Sequence, residues 1–413
     1  MYKSEYQESK QNGSIMLFVC FSIWSFIVLC RPQDYLVFLG HLRPALTFGV
    51  LLLLMWGLST NRTVKFAVDN QLVLYKYLII VFLISIPFSS YRSGSLIDLL
   101  QYCSVILFVF MSYRCVNSIS RMRVLLFTYC MGIGIYTIYI FINGRFMDGR
   151  ISFANMFDPN DIAFVILSFI VFNLLFITKN NSGYERVLCF VNIVIGLIIL
   201  MKTGSRSGFI ALVAVVTYLL FSRSNILKVS FIKKMLIMAM AILSLYFVDM
   251  SSERYKSILD LQNDYNRTGE EGRIAIWKMG INMMFAHPFT GVGFNRFPEG
   301  VGRAREARGL DSTKWQTAHN SLIQIGAETG IFGAVLFFVM SLNAFKIFTQ
   351  VSKKSENAEL ARIGEIAKAG FIGLFICAMF LSQAYSVYWA LYLVLSAILR
   401  RMYENEKQQK MIA

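Results

Sequence analysis

The residues best suited to chemistry in this chain fall between Trp277 and Gly333. This stretch contains His-Pro-Phe-Thr-Gly-Val-Gly-Phe at 287–294. An arginine-rich polar segment follows, and then Thr-Ala-His-Asn-Ser-Leu-Ile-Gln-Ile-Gly-Ala-Glu-Thr-Gly-Ile-Phe-Gly at 317–333. His319 stands where the polar segment gives way to an apolar helix. Imidazole is the side chain best matched to proton transfer near neutral pH. Behind it, Asn320, Gln324 and Glu328 form a polar stripe at helical spacing. A titratable imidazole between a basic loop and an apolar helix suggests chemistry on an anionic substrate carried by a membrane.

Arginine supplies the second half of that chemistry. Its planar fork binds phosphate oxygens in pairs and stays charged at every relevant pH. Arg145, Arg150, Arg206, Arg254, Arg267, Arg273, Arg296, Arg303, Arg305 and Arg308 all fall in connections on the same side as His319. Each alone reads equally as a snorkelling or loop-solvating cation; together they read as a cradle for a lipid diphosphate. Arg206 lies in Thr-Gly-Ser-Arg-Ser-Gly (203–208), before an apolar run. Thr203, Ser205 or Ser207 can cap that helix, and its free N–H groups favour an anion. Arg273 begins a segment in which Ile274, Trp277, Ile281, Met284 and Phe285 recur near helical spacing. That pattern predicts an amphipathic helix on the membrane surface with Trp277 at headgroup level.

Other polar groups carry open alternatives. Asp158-Pro159-Asn160-Asp161 is an ordinary helix start, with Asp as cap and Pro in the first turn, or else a carboxylate and amide that touch sugar or acceptor. Glu328 reads as packing support or as a catalytic acid, because acids inside a span are costly and are usually paired or functional. Gly326 and Gly330 permit close helix approach. His287 reads as a helix terminator before Pro288, and His41 has little to recommend it. Gly291-Val292-Gly293 lacks the third glycine and the preceding strand of a dinucleotide site.

The elements that must position these groups are membrane helices. The chain has 413 residues, 56% hydrophobic and 15% charged, with 36 Phe, and a mean hydropathy of +0.56; a soluble domain carries about 25% charged residues. We expect an all-α integral membrane protein of about twelve transmembrane helices, near 15–31, 44–58, 73–89, 96–112, 123–142, 160–177, 187–201, 208–222, 234–249, 320–346, 367–384 and 387–400. The first apolar run is expected to be a span and not a cleaved signal. Alternate connections carry Lys3 and Lys10; Arg62 and Lys65; Arg114, Arg121 and Arg123; Lys179 and Arg186; Arg223, Lys228, Lys233 and Lys234; Lys353, Lys354, Arg362 and Lys368; and Arg400, Arg401, Lys407 and Lys410. Positive charge on alternate connections predicts cytoplasmic N and C termini and places His319 on the opposite, periplasmic side. The chain then divides into helices 1–9 over 1–249, a periplasmic loop over 250–319 with an amphipathic helix, and helices 10–12 with a cytoplasmic tail over 320–413. Residues 351–366 read as a charged, helix-friendly cytoplasmic link, best taken as a solvated connection.

The net charge of +16 follows largely from topology, so no nucleic-acid partner is expected. Seven cysteines, none in Cys-x-x-Cys, read as small core hydrophobes, and three scattered histidines give no metal site.

Taken together, Arg-Pro-Gln-Asp-Tyr and Leu-Arg-Pro at 31–44, Asp-Pro-Asn-Asp at 158–161, Thr-Gly-Ser-Arg-Ser-Gly at 203–208, His-Pro-Phe-Thr-Gly-Val-Gly-Phe at 287–294 and His-Asn…Glu-Thr-Gly-Ile-Phe-Gly at 319–333 make the chain similar to the O-antigen ligase / O-antigen polymerase superfamily (Wzy/WaaL type) of bacterial membrane glycosyltransferases. The resemblance implies a GT-C-like fold in the inner membrane. It also implies a metal-independent, inverting transfer, with no cofactor, of glycan from undecaprenyl diphosphate to a hydroxyl on lipid A–core or on another lipid-linked glycan. Carried over by motif, His319 is the base, Arg206 and Arg273 hold the diphosphate, and Arg296 is a further candidate. Arg150 and Lys202 join the diphosphate group from topology; Asn320, Gln324, Glu328, Asp158 and Asn160 are supporting residues. A protein O-oligosaccharyltransferase and a lipid-linked glycan flippase are the competing readings. A flippase would show inverted repeats and midplane charges; the sequence shows no repeat, and its charge concentrates at the outer face.

Overall fold

The computed structural model describes residues 2–58, 69–147, 149–153, 158–178, 180–222, 272–311 and 313–412. The expected span 234–249 lies outside the described residues. So do Arg62, Lys65, Lys179, Arg223, Lys228, Lys233, Lys234, Arg254 and Arg267.

The described chain is mostly helical. In order it forms α1 (Tyr2–Cys30), α2 (Val37–His41), α3 (Pro44–Leu58), α4 (Asn70–Ser85), α5 (Arg92–Cys115), α6 (Ile119–Asn143), strands β1 (Arg145–Met147) and β2 (Arg150–Ser152), α7 (Pro159–Ile170), α8 (Gly183–Lys202) and α9 (Arg206–Phe221). Beyond residue 271 come α10 (Arg273–Ala286), α11 (Phe297–Glu306), α12 (Ser321–Lys354), α13 (Ala358–Ala378) and α14 (Val387–Ile412). Among the described residues, five helices are long and apolar enough to cross a membrane: α4 with its 3-10 extension to Phe88, α5, α6, α8 and α12. Shorter apolar helices cover Ile15–Cys30, Pro44–Leu58, Pro159–Leu175 and Arg206–Phe221.

Two expectations need correction. The all-α reading misses the β1–β2 hairpin, in which Arg145 faces Ser152 and Met147 faces Arg150; strands of three residues are too short to leave an alternating pattern. The link expected over 351–366 contracts to 355–357. There Asn357 caps α13 by accepting from the backbone N–H groups of Glu359 and Leu360, and Leu360, Ile363, Glu365 and Ile366 are already buried. A carboxylate survives burial only when it is hydrogen-bonded. Glu365 receives the hydroxyls of Tyr218, Ser222 and Ser352, which moves the start of the last helical pair upstream of residue 367.

The core is an aromatic bundle. Phe337 stacks on Trp389 with centroids 4.6 Å apart. Phe82, Tyr102, Phe294 and Tyr385 form one cluster, in which Phe294 lies 4.5 Å from Tyr385 and 4.8 Å from Phe82. Phe294 is the last residue of the 287–294 motif, so this buried ring anchors the segment between α10 and α11 into the bundle. At the other end of the bundle, Arg401 donates to the Tyr113 and Val116 carbonyls, Arg362 to Leu174, and Arg123 pairs with Glu359. The cysteines are free, and all but Cys103 are buried, in keeping with a core role.

Candidate functional site

The 317–333 segment does not form one straight helix. Gly330 adopts φ 77° and ψ −174°, which breaks α12. A break leaves backbone groups without intrahelical partners, and in a dry setting each costs several kcal/mol if left unmet. The 287–293 turn meets them. Ile331 donates its N–H to Pro288, Val292 donates to Ala327, and Gly293 donates to Glu328, at 2.8, 2.9 and 3.0 Å. Glycine is required at 291 because its φ is +62° and a Cβ there would lie 2.2 Å from the Glu328 carbonyl carbon. The His-Pro-Phe-Thr-Gly-Val-Gly motif is therefore a plug fitted to a broken helix.

The polar stripe on α12 turns out to be a set of fasteners. Asn320 caps the helix, accepting from Leu322 and Ile323, and donates to the Met379 carbonyl. Ser321 donates to the Leu381 carbonyl and accepts from the Gln383 N–H. Gln324 accepts from the Ala384 N–H at 3.3 Å. Glu328 is fully buried; it accepts from the Phe297 N–H at 2.8 Å and the Tyr385 hydroxyl at 2.6 Å. The stripe thus holds the 379–386 loop and the start of α11. Sequence reasoning passed over that loop. Its signal was the polar run Ser382-Gln383-Ala384-Tyr385 between two apolar helices.

His319 sits on this framework. Its φ is +47°, a left-handed conformation uncommon in non-glycine residues and often found at functional sites. The Ser382 hydroxyl accepts its backbone N–H at 2.9 Å. Thr317 Oγ1 lies 3.4 Å from Nε2. The preceding carbonyl, of Ala318, accepts the Trp277 indole N–H at 3.0 Å. The indole N–H of Trp277 is thus used inside the protein, directly beneath His319. On α10, Ile276, Met279, Gly280 and Met283 are buried while Ile274, Ile281 and Phe285 remain exposed. The helix lies against α12 and turns only its other face outward. Burial holds the His319 imidazole below the ordinary histidine pKa, and the Arg273 guanidinium lowers it further while Asp158 opposes. Both charges are therefore felt at the ring, and the neutral base is favoured.

The remaining predicted residues separate into two groups. Arg150 on β2 donates from Nε to the Thr203 carbonyl at 2.8 Å and from Nη2 to Asn160 Oδ1 at 2.9 Å. Asp158 caps α7, accepting the Asn160 and Asp161 N–H groups, and Asp161 accepts from Gln383 at 2.8 Å. Ser205 caps α9, so Arg206 is the first residue of that helix. Next to it, the Ser207 carbonyl meets Cys377 Sγ at 3.9 Å, just before the loop that holds His319. The starts of α7, α9 and α12 and the 379–386 loop thus converge, bringing Arg150, Asp158, Asn160, Arg206 and Arg273 to the His319 end of the bundle. Lys202 is exposed there, with Nζ 5.2 Å from the Phe146 ring centroid.

Arg296 belongs to the second group. It is buried, pairs with Asp98 and with Glu299, the latter at 2.5 Å, and lies 5.7 Å from the Tyr91 ring centroid. Two carboxylates already neutralise it, so it fastens α11 to α5. The described residues contain no group of His, Cys, Asp and Glu able to hold a metal ion.

The described residues form a polytopic helical membrane protein in which arginines and His319 gather at one end of the bundle. Residues 191–338 match the family model described as O-antigen ligase, the superfamily that the motifs resemble. The matched interval holds Lys202, Arg206, Arg273, Arg296, His319, Asn320, Gln324 and Glu328; Arg150, Asp158 and Asn160 precede it. No curated protein matches the chain.

Proposed function

We propose that this chain transfers a glycan from an undecaprenyl-diphosphate donor to a hydroxyl acceptor on the periplasmic side of the inner membrane, as an O-antigen ligase or an O-antigen or exopolysaccharide polymerase. The observation that carries the reading is that the segment around 377–383 holds His319 through Ser382, the Asp158-capped start of α7 through Asp161 and Gln383, and the Arg206 helix start through Ser207 and Cys377. The match of 191–338 to the O-antigen ligase family supports glycosyl transfer in O-antigen assembly. Twelve spans, a GT-C-like fold and cytoplasmic termini are part of the proposal.

In this mechanism the isoprenoid tail stays in lipid. Arg206 and Arg273 each occupy the first turn of a helix, where backbone N–H groups and the helix dipole add to their charge. They hold the diphosphate, with Arg150 and Lys202 contributing positive potential. Neutral His319 takes the proton of the acceptor hydroxyl. The freed oxygen lone pair forms the new bond to the anomeric carbon from the face opposite the diphosphate. The old carbon–oxygen bond breaks, its electron pair leaves on the diphosphate, and the anomeric centre inverts. The arginines offset the charge that develops on the leaving group. Arg296 has no part in this step, because Asp98 and Glu299 occupy it. Asn320, Gln324, Glu328 and Asn160 act by positioning.

Purified protein supplied with a defined lipid-diphosphate donor tests the proposal. Transfer in the wild type and its loss in His319→Ala, with membrane insertion intact, is the expected result. Full transfer in His319→Ala overturns the base assignment. Lipid-linked polymer without attachment in a deletion strain identifies a ligase, and single repeats identify a polymerase.

A further inference from the structure

A cleft of about 460 Å³ opens between α11 and the turn that joins α4 to α5. Its walls include Tyr91, Trp315, Glu299, Arg303 and Glu306. Both residues expose more than half their surface, Trp315 at 62% and Tyr91 at 53%. Exposed apolar surface rimmed by polar residues marks a ligand-binding groove. The cleft is built, because its walls are locked to each other. Arg303 donates to the Ser90 carbonyl at 2.7 Å, and Glu299 is held by Arg296. Ser90 also lines the cleft.

We propose that this cleft is a saccharide subsite in which Trp315 and Tyr91 present apolar faces to sugar rings while Glu299, Glu306 and Arg303 hydrogen-bond the hydroxyl groups. The mixture of donors and acceptors suits a polyhydroxyl ligand, since each sugar hydroxyl both donates and accepts. Position supports the assignment. Trp315 precedes His319 by four residues in a segment without regular structure, so the two Cα atoms lie at most about 14 Å apart. A short oligosaccharide spans that interval. This inference rests on the glycan-transfer reading and extends it: the subsite holds the sugars beyond the reacting one and sets which glycan is accepted.

Binding measured apart from catalysis tests it. The probe is the oligosaccharide released by mild acid from the lipid-linked pool of the producing cell, titrated into full-length protein in neutral detergent. Wild type and His319→Ala are expected to bind it equally. Trp315→Ala is expected to raise Kd about tenfold, or about 1.4 kcal/mol, and Glu306→Gln several-fold, with unchanged thermal stability in both. In transfer assays Trp315→Ala should raise the KM of donor or acceptor with little change in kcat, and the KM that rises identifies which glycan occupies the cleft. Unchanged Kd in Trp315→Ala and Glu306→Gln, with His319-dependent transfer intact, overturns the subsite alone. Weaker partition of Trp315→Ala into anionic vesicles without any loss of saccharide binding overturns it in favour of a membrane contact. Loss of transfer activity altogether, with binding preserved, counts against the reaction and leaves the subsite standing.

Discussion

Replacing Gly291 by alanine tests whether the 287–293 turn plugs the break in α12. At φ +62° an alanine pays about 1–2 kcal/mol for the left-handed backbone. Its Cβ would also stand 2.2 Å from the Glu328 carbonyl carbon, 2.3 Å from the Thr329 nitrogen and 2.4 Å from the Glu328 oxygen. Carbon contacts are comfortable near 3.5–4.0 Å, so the turn must retreat by roughly 1 Å or more. That movement breaks the bonds from Val292 to Ala327 and from Gly293 to Glu328. Each buried carbonyl left unmet costs about 1–3 kcal/mol. The sum is on the order of 3–8 kcal/mol, a large share of a typical folding margin of about 5–15 kcal/mol. Thermal unfolding of the full chain in one detergent should show a clearly lower midpoint for Gly291→Ala. Transfer activity should fall with it, since α10 carries Arg273 and the Trp277 contact beneath His319. Gly330→Ala, whose Cβ would lie 2.4 Å from the Pro288 oxygen at φ +77°, should behave alike. Gly57 has open space around its Cβ position, and Gly57→Ala should be neutral or stabilising by up to about 1 kcal/mol. A Gly291→Ala midpoint equal to that of Gly57→Ala would refute the plug.

His319 has its proton affinity lowered by burial and by Arg273 and raised by Asp158. The rate should therefore hold as pH falls to about 6.5 and decline only below it. In the kcat profile, Arg273→Ala should shift that acid limb to higher pH and Asp158→Asn to lower pH; coincident limbs would remove both charges from the site. The same depressed affinity means the unfolded chain binds the proton more readily, so this residue's contribution to stability falls as pH drops below about 6.5. Glu328→Gln should keep one acceptor for the Phe297 N–H while its amide donates to the rotatable Tyr385 hydroxyl, leaving transfer within a few-fold of wild type. Glu328→Ala should destabilise by about 2–4 kcal/mol as those groups lose their acceptors. A Gln variant that folds well and is dead would make Glu328 a catalytic acid. Arg296→Ala should lower stability by about 3–5 kcal/mol by stranding two carboxylates and leave the donor KM of the surviving protein unchanged; a raised donor KM at normal stability would return Arg296 to the diphosphate site.

Helix starts were legible because they depend on neighbours in sequence. Asp158 with Pro159, and Ser205 ahead of the 208–221 run, bear the cap residues that local chemistry demands, and they cap α7 and α9. Asn320 was legible by the same rule yet read chiefly as part of a polar stripe; its cap role needed only its place before an apolar run. The α10 pattern at 274, 277, 281, 284 and 285 identified a helix but not its buried side, because this helix is apolar on both faces and only contact with α12 selects one.

The sequence by itself determined that the chain is a helical membrane protein, because apolar runs of this length can satisfy their backbone in lipid only as helices. It also marked His319 and the arginines, because few residue types can move a proton or grip a diphosphate. Tertiary structure decided which of those charges are spent. Arg296 and Asp98, Glu328 and Tyr385, and His319 and Ser382 are far apart in the chain and meet only in space. A buried charge is neutralised by whatever the fold brings within hydrogen-bond reach, and no local pattern encodes that partner. The break at Gly330 was hidden for the same reason: a glycine in an apolar helix looks like a packing residue until another segment supplies the hydrogen bonds that let the helix open.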